Sequence, residues 1–431
     1  MKAAIITLGC KVNQYESEAI AERLRKEGYE IAGEKEDADV FIINSCTVTA
    51  ESNKKVRKTV RSVKREHPGS IVLLTGCMPQ AFPEESAKLT EADIVTGNKF
   101  NSKIPELIEQ YKNKGRLIAV EEHRSGEAYC SDSVSGFRER TRATLKIEDG
   151  CNRFCSYCII PYARGRVRSK PVEEISREAR AFADAGYVEI VPVGINLSAY
   201  GSDIGSNLVE AVKAAAEPEG IKRVRLGSLE PDHITDEVIK SLSEIPKLCP
   251  QFHISLQSGC DRTLKRMNRH YTADEYRKLC EKLRSTFDGC TLTTDLMTGF
   301  PGETDEDFLE SLEFVKEIKF LKVHVFPYSE REGTPAARMD NSVPRHIREQ
   351  RAVTAIKEAD AIRRDFFEAQ RGRTLSVLAE KETCGFYTGY TANYIPVKFT
   401  GDSVKDGEIT DVFITDVDED RCLGIKKSDV R

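Results

Sequence analysis

Three kinds of hydrophobic pattern divide the chain. From residue 1 to about 120, short unbroken apolar runs alternate with amphipathic segments. Segments 3–8, 39–44 and 70–75 hold runs such as Val40-Phe41-Ile42-Ile43 and Ile71-Val72-Leu73-Leu74. Strands of this composition are buried on both faces and suit a parallel sheet. Segments 16–26 and 51–66 lie between them and read as helices. The alternation predicts an amino-terminal doubly wound α/β domain over 1–120. Residues 121–137 lose all period and read as a linker.

From 138 to about 330, six apolar strand segments recur at 144–147, 190–193, 224–226, 252–256, 292–296 and 323–326. Helical patterns near 172–186, 206–217, 234–246, 272–286 and 305–317 fill the gaps. Six βα units are too few for a closed eight-fold barrel and fit an open, partial one. A long connecting helix is expected over 344–370, which places the central domain at 138–368. Beyond it the pattern turns to short strands, clearest at 375–378, 394–399 and 409–414. A run of this length predicts a small β-barrel of the oligonucleotide-binding type over 369–431.

Composition adds exclusions. With 431 residues, 39% hydrophobic and 31% charged, the chain has the balance of an ordinary soluble globular protein of two or three domains. No apolar run approaches the ~18 residues of a membrane span, and the amino-terminal run is too short for a signal peptide. A cytoplasmic protein with no membrane partner is expected. Net charge is −5, so any field that attracts nucleic acid must be local. Residues 54–65 carry seven basic side chains and no acid, on the face opposite Val56, Val60 and Val63. Either a solvated face or a phosphate-contacting one accounts for them. Arg164, Arg166, Arg168 and Lys170 form a second basic group. Residues 371–431 hold nine basic and eleven acidic residues, so RNA affinity there would come from a local stripe or from stacking on Tyr387, Tyr390 and Tyr394.

The thirteen cysteines carry the chemistry. In a long chain without an export signal they point to reduced thiols and metal. Cys151, Cys155 and Cys158 follow a C-x3-C-x2-C spacing that fits one loop around a single metal centre. Structural zinc wants a fourth ligand, and no Cys or His lies close by to supply it. Three thiolates on a four-iron cubane would leave one iron open for a substrate or cofactor. Cys10, Cys46 and Cys77 each follow an amino-terminal strand, at separations of 36 and 31 residues, about one βαβ unit each. Parallel strands deliver their carboxyl ends to one edge, so these three thiols are expected to converge. Cys130, Cys249, Cys260, Cys280 and Cys290 follow no ligand spacing. His253 and His324 lie inside strand patterns and read as packing residues.

The loop Gly150-Cys151-Asn152-Arg153-Phe154-Cys155-Ser156-Tyr157-Cys158, continued by Ile159-Ile160-Pro161-Tyr162-Ala163-Arg164-Gly165-Arg166-Val167-Arg168-Ser169, resembles the cluster loop of radical S-adenosylmethionine (SAM) enzymes, and of the methylthiotransferases in particular. Residues 9–17 (GCKVNQYES), 44–49 (NSCTVT) and 75–80 (TGCMPQ) are similar to the amino-terminal domain of that family. Residues 391–394 (TANY) are similar to its RNA-binding TRAM module. The resemblance spans essentially the whole chain.

It implies a central partial (βα)6 radical SAM barrel, an OB-like TRAM barrel and two [4Fe-4S] clusters. Cys151, Cys155 and Cys158 would hold the cluster that binds S-adenosylmethionine. Cys10, Cys46 and Cys77 would hold an auxiliary cluster carrying the sulfur to be transferred. Loops at strand carboxyl ends would line the cofactor pocket, with Tyr157, Gly194, Asn196, Gln257 and Asp295 as its candidate residues; no catalytic residue is assigned. One electron, from a donor whose identity the sequence does not carry, would split the sulfonium bond, and radical attack would replace a C–H bond by C–S–CH3. Residues 7–13 (TLGCKVN) resemble the branch acting on N6-threonylcarbamoyladenosine at position 37 of tRNA. The isopentenyladenosine branch typically shows Gly-Cys-Gln-Met-Asn there, and the ribosomal-protein branch Gly-Cys-Pro-Lys-Asn. The expected activity is that of a transferase adding a methylthio group at C2 of that tRNA base, with isopentenyladenosine-37 or a ribosomal protein as the alternative substrate.

Overall fold

Every residue of the strand Val40–Ser45 is buried, as its unbroken apolar run requires. In the computed structural model, which describes residues 1–130, 133–137 and 141–430, this strand lies inside a six-stranded parallel sheet. The order is Glu30–Ala32, Lys2–Thr7, Val40–Ser45, Ile71–Gly76, Ile94–Thr96 and Leu117–Ala119. One face packs Phe41, Ile43, Val72 and Leu74 against Val56 and Val60 of the helix Ala50–Glu66. The other packs Val40, Ile42 and Leu73 against Ile20 and Leu24 of the helix Lys11–Lys26. Each such fully buried side chain contributes about 1.5–3 kcal/mol of transfer free energy. Register places Thr7 opposite Asn44 and Asn44 opposite Thr75, so three adjacent strands end at one level. The first helix begins at Lys11, earlier than the expected start at 16, because Cys10 in extended conformation serves as its N-cap.

The central wall consists of two parallel sheets. Ala143–Lys146, Glu189–Val193 and Arg223–Val224 form the first; Ser228–Leu229, Gln251–Ile254, Thr291–Thr298 and Lys322–Pro327 form the second. The expected third strand at 224–226 is the hand-over between them. Gly227 still donates to Pro192 O at 3.0 Å, and Ser228 then pairs with His253. This step bends the wall into an open barrel. Helices Val172–Asp184, Leu208–Ala216, Asp236–Ser243, Ala273–Thr286 and Asp305–Ile318 alternate with the strands. The last two start in capping boxes built on Thr272 and Thr304.

The segment expected to be a linker is largely exposed but is anchored at a few points. Val134 and Phe137 are buried, and the Tyr129 hydroxyl donates to Lys146 O at 2.9 Å. It lacks a period because each residue meets a different neighbour. The expected start of the central domain at residue 138 lies outside the described residues.

The helix Arg345–Glu368 leads to a closed five-stranded barrel, Thr374–Ala379, Tyr387–Thr391, Pro396–Thr400, Cys422–Lys426 and Ile409–Val417 in spatial order. This is the small TRAM-like barrel. Two of its strands had no clear sequence signal, and Tyr394, expected at a strand start, sits in a turn at φ 68°. Val377, Val397, Phe399, Val412 and Ile414 fill its interior. It docks on the central wall through arginines: Arg223 donates to Ser376 O, and Arg225 to Thr391 O and Ala392 O, at 2.8–3.0 Å. Among the described residues no helix is long and apolar enough to cross a membrane.

Candidate active site

The loop with three close cysteines leaves the central wall between two short strands, Glu148–Asp149 and Arg168–Ser169, paired antiparallel. Cys151 N donates to Gly165 O at 3.0 Å and closes its base. Gly150 turns there at φ 87°, and a Cβ at that position would stand 2.0 Å from Arg166 O, so only glycine fits. Phe154 also adopts a left-handed conformation, at φ 50°. Ser156 N donates to Met267 O at 3.0 Å, tying the loop to the barrel. Arg269 donates to the Cys155 sulfur at 3.3 Å and is itself held by Glu230. Burial pushes the Cys151 and Cys158 thiols up to about 12. Their deprotonation therefore needs the charge of a bound metal.

Cys10, Cys46 and Cys77 follow the adjacent strands Lys2–Thr7, Val40–Ser45 and Ile71–Gly76, at the same sheet edge. They are close enough for the Cys46 and Cys10 thiols to raise that of Cys77, which burial chiefly drives to about 12. Two arginines from the central domain flank this edge. Arg164 Nε donates to the Cys77 sulfur at 3.2 Å, and Arg331 lies beside Cys46 and donates to Thr47 Oγ1 at 2.6 Å. Asn13 Oδ1 accepts from the Cys10 thiol at 3.2 Å. A positive surround of this kind suits a set of thiolates.

Among the described residues, the one group of three His, Cys, Asp or Glu ligand atoms within 4.8 Å of one another is Cys260, Asp307 and Glu310. Neither cysteine trio is drawn in that tightly. A tetrahedral zinc with bonds of about 2.3 Å would require its sulfurs to be closer than that. A cubane, whose thiolates sit on separate irons, holds them further apart. Both donor sets fit iron–sulfur clusters.

The two domains meet through a buried charge network. Glu16 accepts from Arg164 Nη2 at 2.9 Å, also pairs with Arg164 Nη1, and accepts from Lys146 at 2.8 Å; Asp149 accepts from Lys146 at 2.7 Å. Burial opposes ionisation of both carboxyls. Arg164 and Lys146 overcome it, with Arg168 at Asp149, and hold both carboxyls below the usual range. Nothing local in the sequence marks these partners, which lie up to 148 residues apart.

A cavity of about 1130 Å³ opens where the three domains meet. Cys10 and Lys11 line one side, Gly194, His253, Asp295 and His324 the barrel side, and Tyr390 and Tyr394 the carboxy-terminal barrel. His253 and His324, expected to be packing residues, face this cavity, where His253 hydrogen-bonds Thr293 and Asp295 at 3.0 and 3.2 Å. Of the candidate pocket residues, Gly194 and Asp295 line the cavity. A Cβ on Gly194 would meet Glu148 Oε2 at 2.4 Å. Asn196 and Gln257 are buried, and among the described residues Asn196 Oδ1, Gln257 Oε1 and Glu148 Oε1 have no hydrogen-bond partner. Unpartnered buried oxygens at the carboxyl ends of barrel strands are what a polar ligand would satisfy. Burial pushes the Glu148 carboxyl well above the usual carboxylate range. Tyr157 stands apart from the cavity, edge-on to Phe300 with ring centres 6.3 Å apart.

Residues 145–315 match the family model described as the radical SAM superfamily, and residues 2–97 one described as uncharacterized protein family UPF0004. A threonylcarbamoyladenosine tRNA methylthiotransferase MtaB of Bacillus subtilis (strain 168) is 40% identical, covering 95% of this chain and 93% of that protein. Its namesake from Thermotoga maritima (strain ATCC 43589 / DSM 3109 / JCM 10099 / NBRC 100826 / MSB8) is 39% identical over 98% and 96%. The chain belongs to the radical SAM methylthiotransferase family. Among solved structures, the radical SAM methyltransferase TsrM from Kitasatospora setae with cobalamin and a [4Fe-4S] cluster bound matches 78% of this chain and 77% of that one. Its TM-score is 0.56 at 13% identity, a likeness of fold. Radical SAM methylthiotransferases use S-adenosylmethionine and [4Fe-4S] clusters, typically two, and these are the cofactors of this chain.

The basic groups singled out in the sequence take other roles in this member of the family. Arg164, Arg168 and Lys170 are buried, Lys170 against Glu178. Arg166 alone of that group is exposed, stacked over Phe154 at 4.6 Å. On the helix Ala50–Glu66, Lys54, Arg57, Arg61, Lys64 and Arg65 each meet an acid, and among the described residues Lys55 and Lys58 do not. The three tyrosines expected to stack on bases have ring partners already. Tyr387 lies on Phe399, and Tyr390 lies on Tyr394 with centres 4.6 Å apart under Arg142 and Arg225.

Proposed function

We propose that this protein adds a methylthio group to C2 of N6-threonylcarbamoyladenosine at position 37 of tRNA, in the cytoplasm. The near full-length likeness to relatives named for that reaction carries the reading. In it, Cys151, Cys155 and Cys158 ligate the cluster that binds S-adenosylmethionine, and Cys10, Cys46 and Cys77 ligate the auxiliary one. Bound there, the cofactors supply one-electron cleavage of a sulfonium bond and the sulfur to be inserted.

The protein's part is to hold and to exclude. Arg269, braced by Glu230, fixes the Cys155 sulfur, and Arg164 fixes that of Cys77. Asn196 Oδ1 and Gln257 Oε1 accept hydrogen bonds from the polar ends of S-adenosylmethionine. Gly194 leaves room for the Glu148 side chain, which packs where a Cβ would stand. The carboxy-terminal barrel closes the cavity over the substrate nucleoside and keeps water from it. In domain terms the division is 1–120, 138–368 and 369–431.

Nucleoside mass spectrometry of tRNA from cells lacking the gene tests this. Loss of the methylthio form of threonylcarbamoyladenosine alone is expected. Its persistence, or loss of the isopentenyladenosine product instead, would overturn the assignment.

A further inference from the structure

We propose that Lys11 is the subsite for the carboxylate of the threonylcarbamoyl group, and so a residue by which the cavity selects its nucleoside. This inference rests on the substrate assigned above and deepens it.

Lys11 is on the cavity wall, next in the chain to Cys10. It makes no ion pair or hydrogen bond among the described residues, and in that it is unlike its cationic neighbours. Arg142 is paired with Glu380 at 2.7 Å, Arg225 with Glu189 at 2.8 Å, and Arg363 with Asp420 at 3.1 Å. After burial, the Tyr394 hydroxyl bears most on Lys11, followed by the guanidinium groups of Arg142 and Arg225 and then by Glu189. Glu189 is already committed to Arg225. Lys11 therefore lines the cavity with an ammonium that has no ion-pair partner among the described residues and that an incoming carboxylate can engage. Lys322 is a second cation on the wall without an ion-pair partner among the described residues; it stands on the outermost strand of the second sheet, whereas Lys11 adjoins Cys10 in the chain.

The chemistry of the nucleoside fits that placement. Threonylcarbamoyladenosine carries a free carboxylate on its N6 substituent. C2 and C6, the carbon that bears N6, flank N1 on the same edge of adenine. A base seated with C2 towards the Cys10 edge would therefore carry its carboxylate on the same side as the Lys11 ammonium. The stacked Tyr390–Tyr394 pair and the Arg142 guanidinium form the wall behind it.

A cycle of changes on both partners tests the contact. Reconstituted protein, compared at equal iron content, is offered an anticodon stem-loop bearing threonylcarbamoyladenosine, or the same RNA with that carboxylate as its methyl ester. Wild type is expected to bind the free acid about tenfold more tightly than the ester, the range of one charge-assisted hydrogen bond. Lys11→Gln is expected to bind both forms alike, at the level of the ester, and Lys11→Arg to keep most of the preference. A preference that persists in Lys11→Gln, or a wild type indifferent to esterification, would overturn the subsite. Methylthiolation of the free-acid RNA by wild type is scored in parallel. If it occurs without an effect of the ester, the subsite alone falls; if it does not occur, the substrate assignment falls and the subsite with it.

Discussion

Arg164 Nε donates to the Cys77 sulfur at 3.2 Å while its two Nη atoms hold the Glu16 carboxylate. One fully buried guanidinium from the loop after Cys158 thus grips the sulfur edge of the amino-terminal sheet and the first helix behind it.

Removing Arg164 leaves Glu16 and Asp149 buried with Lys146 as their principal counter-charge. Breaking a buried pair from one side costs about 3–5 kcal/mol. Arg164→Met is expected to lose stability of that order in chemical denaturation, and to hold less iron than wild type after reconstitution. A loss within about 1 kcal/mol would show that the network is redundant.

The same network fixes a pH dependence. Burial works against the Glu16 carboxylate, yet Arg164 and Lys146 hold its pKa below the ordinary value of about 4.3. A folded-state pKa below the unfolded one gives stability that is complete above that ordinary value. It is lost as pH falls through the folded value. Wild type should therefore lose unfolding free energy between about pH 5 and pH 3, and Glu16→Gln should start lower and lose less across that interval. Equal slopes for the two proteins would remove Glu16 as the cause.

Much of the site was legible in the sequence because its parts are short-range. The strands around Val40–Ser45 announce themselves by unbroken apolar runs, and the cysteines that follow them must share an edge once the sheet is parallel. The Cys151 loop is legible from spacing alone. Lys11 was visible only as one letter of a branch motif. What escaped is long-range or irregular. Arg164 and Lys170 looked like a basic surface, and only the fold reveals Glu16 and Glu178 against them. Nothing in the spacing of Tyr390 and Tyr394 showed that they stack on each other within the barrel, under arginines of the central domain. Val134 packs without any period that a pattern could detect.

Gly150 offers a sharp steric test. Its φ of 87° and the 2.0 Å approach of Arg166 O to an added Cβ leave no room for a side chain. Gly28 has a similar φ of 81° and nothing within 4 Å. Gly28→Ala should cost about 1 kcal/mol, the backbone strain alone. Gly150→Ala must also move Arg166 and the turn that leads into the strand Arg168–Ser169, so reconstituted protein should lose iron and reductive cleavage of S-adenosylmethionine together. Wild-type iron content in Gly150→Ala would contradict the loop geometry.

Asn196 and Gln257 distinguish binding from stability. Their side-chain oxygens are buried without partners, so the folded protein bears a desolvation cost that it recovers only when a ligand donates to them. Truncating either residue should therefore leave the cofactor-free protein as stable as wild type, or slightly more so. The affinity of the reconstituted enzyme for S-adenosylmethionine should fall about tenfold per lost hydrogen bond, roughly 1.4 kcal/mol. Calorimetric titration and thermal denaturation of Asn196→Ala and Gln257→Ala measure the two quantities separately. A structural role would show the reverse pattern, with destabilised protein and unchanged affinity, because both side chains are buried and their truncation would then cost packing without touching the ligand.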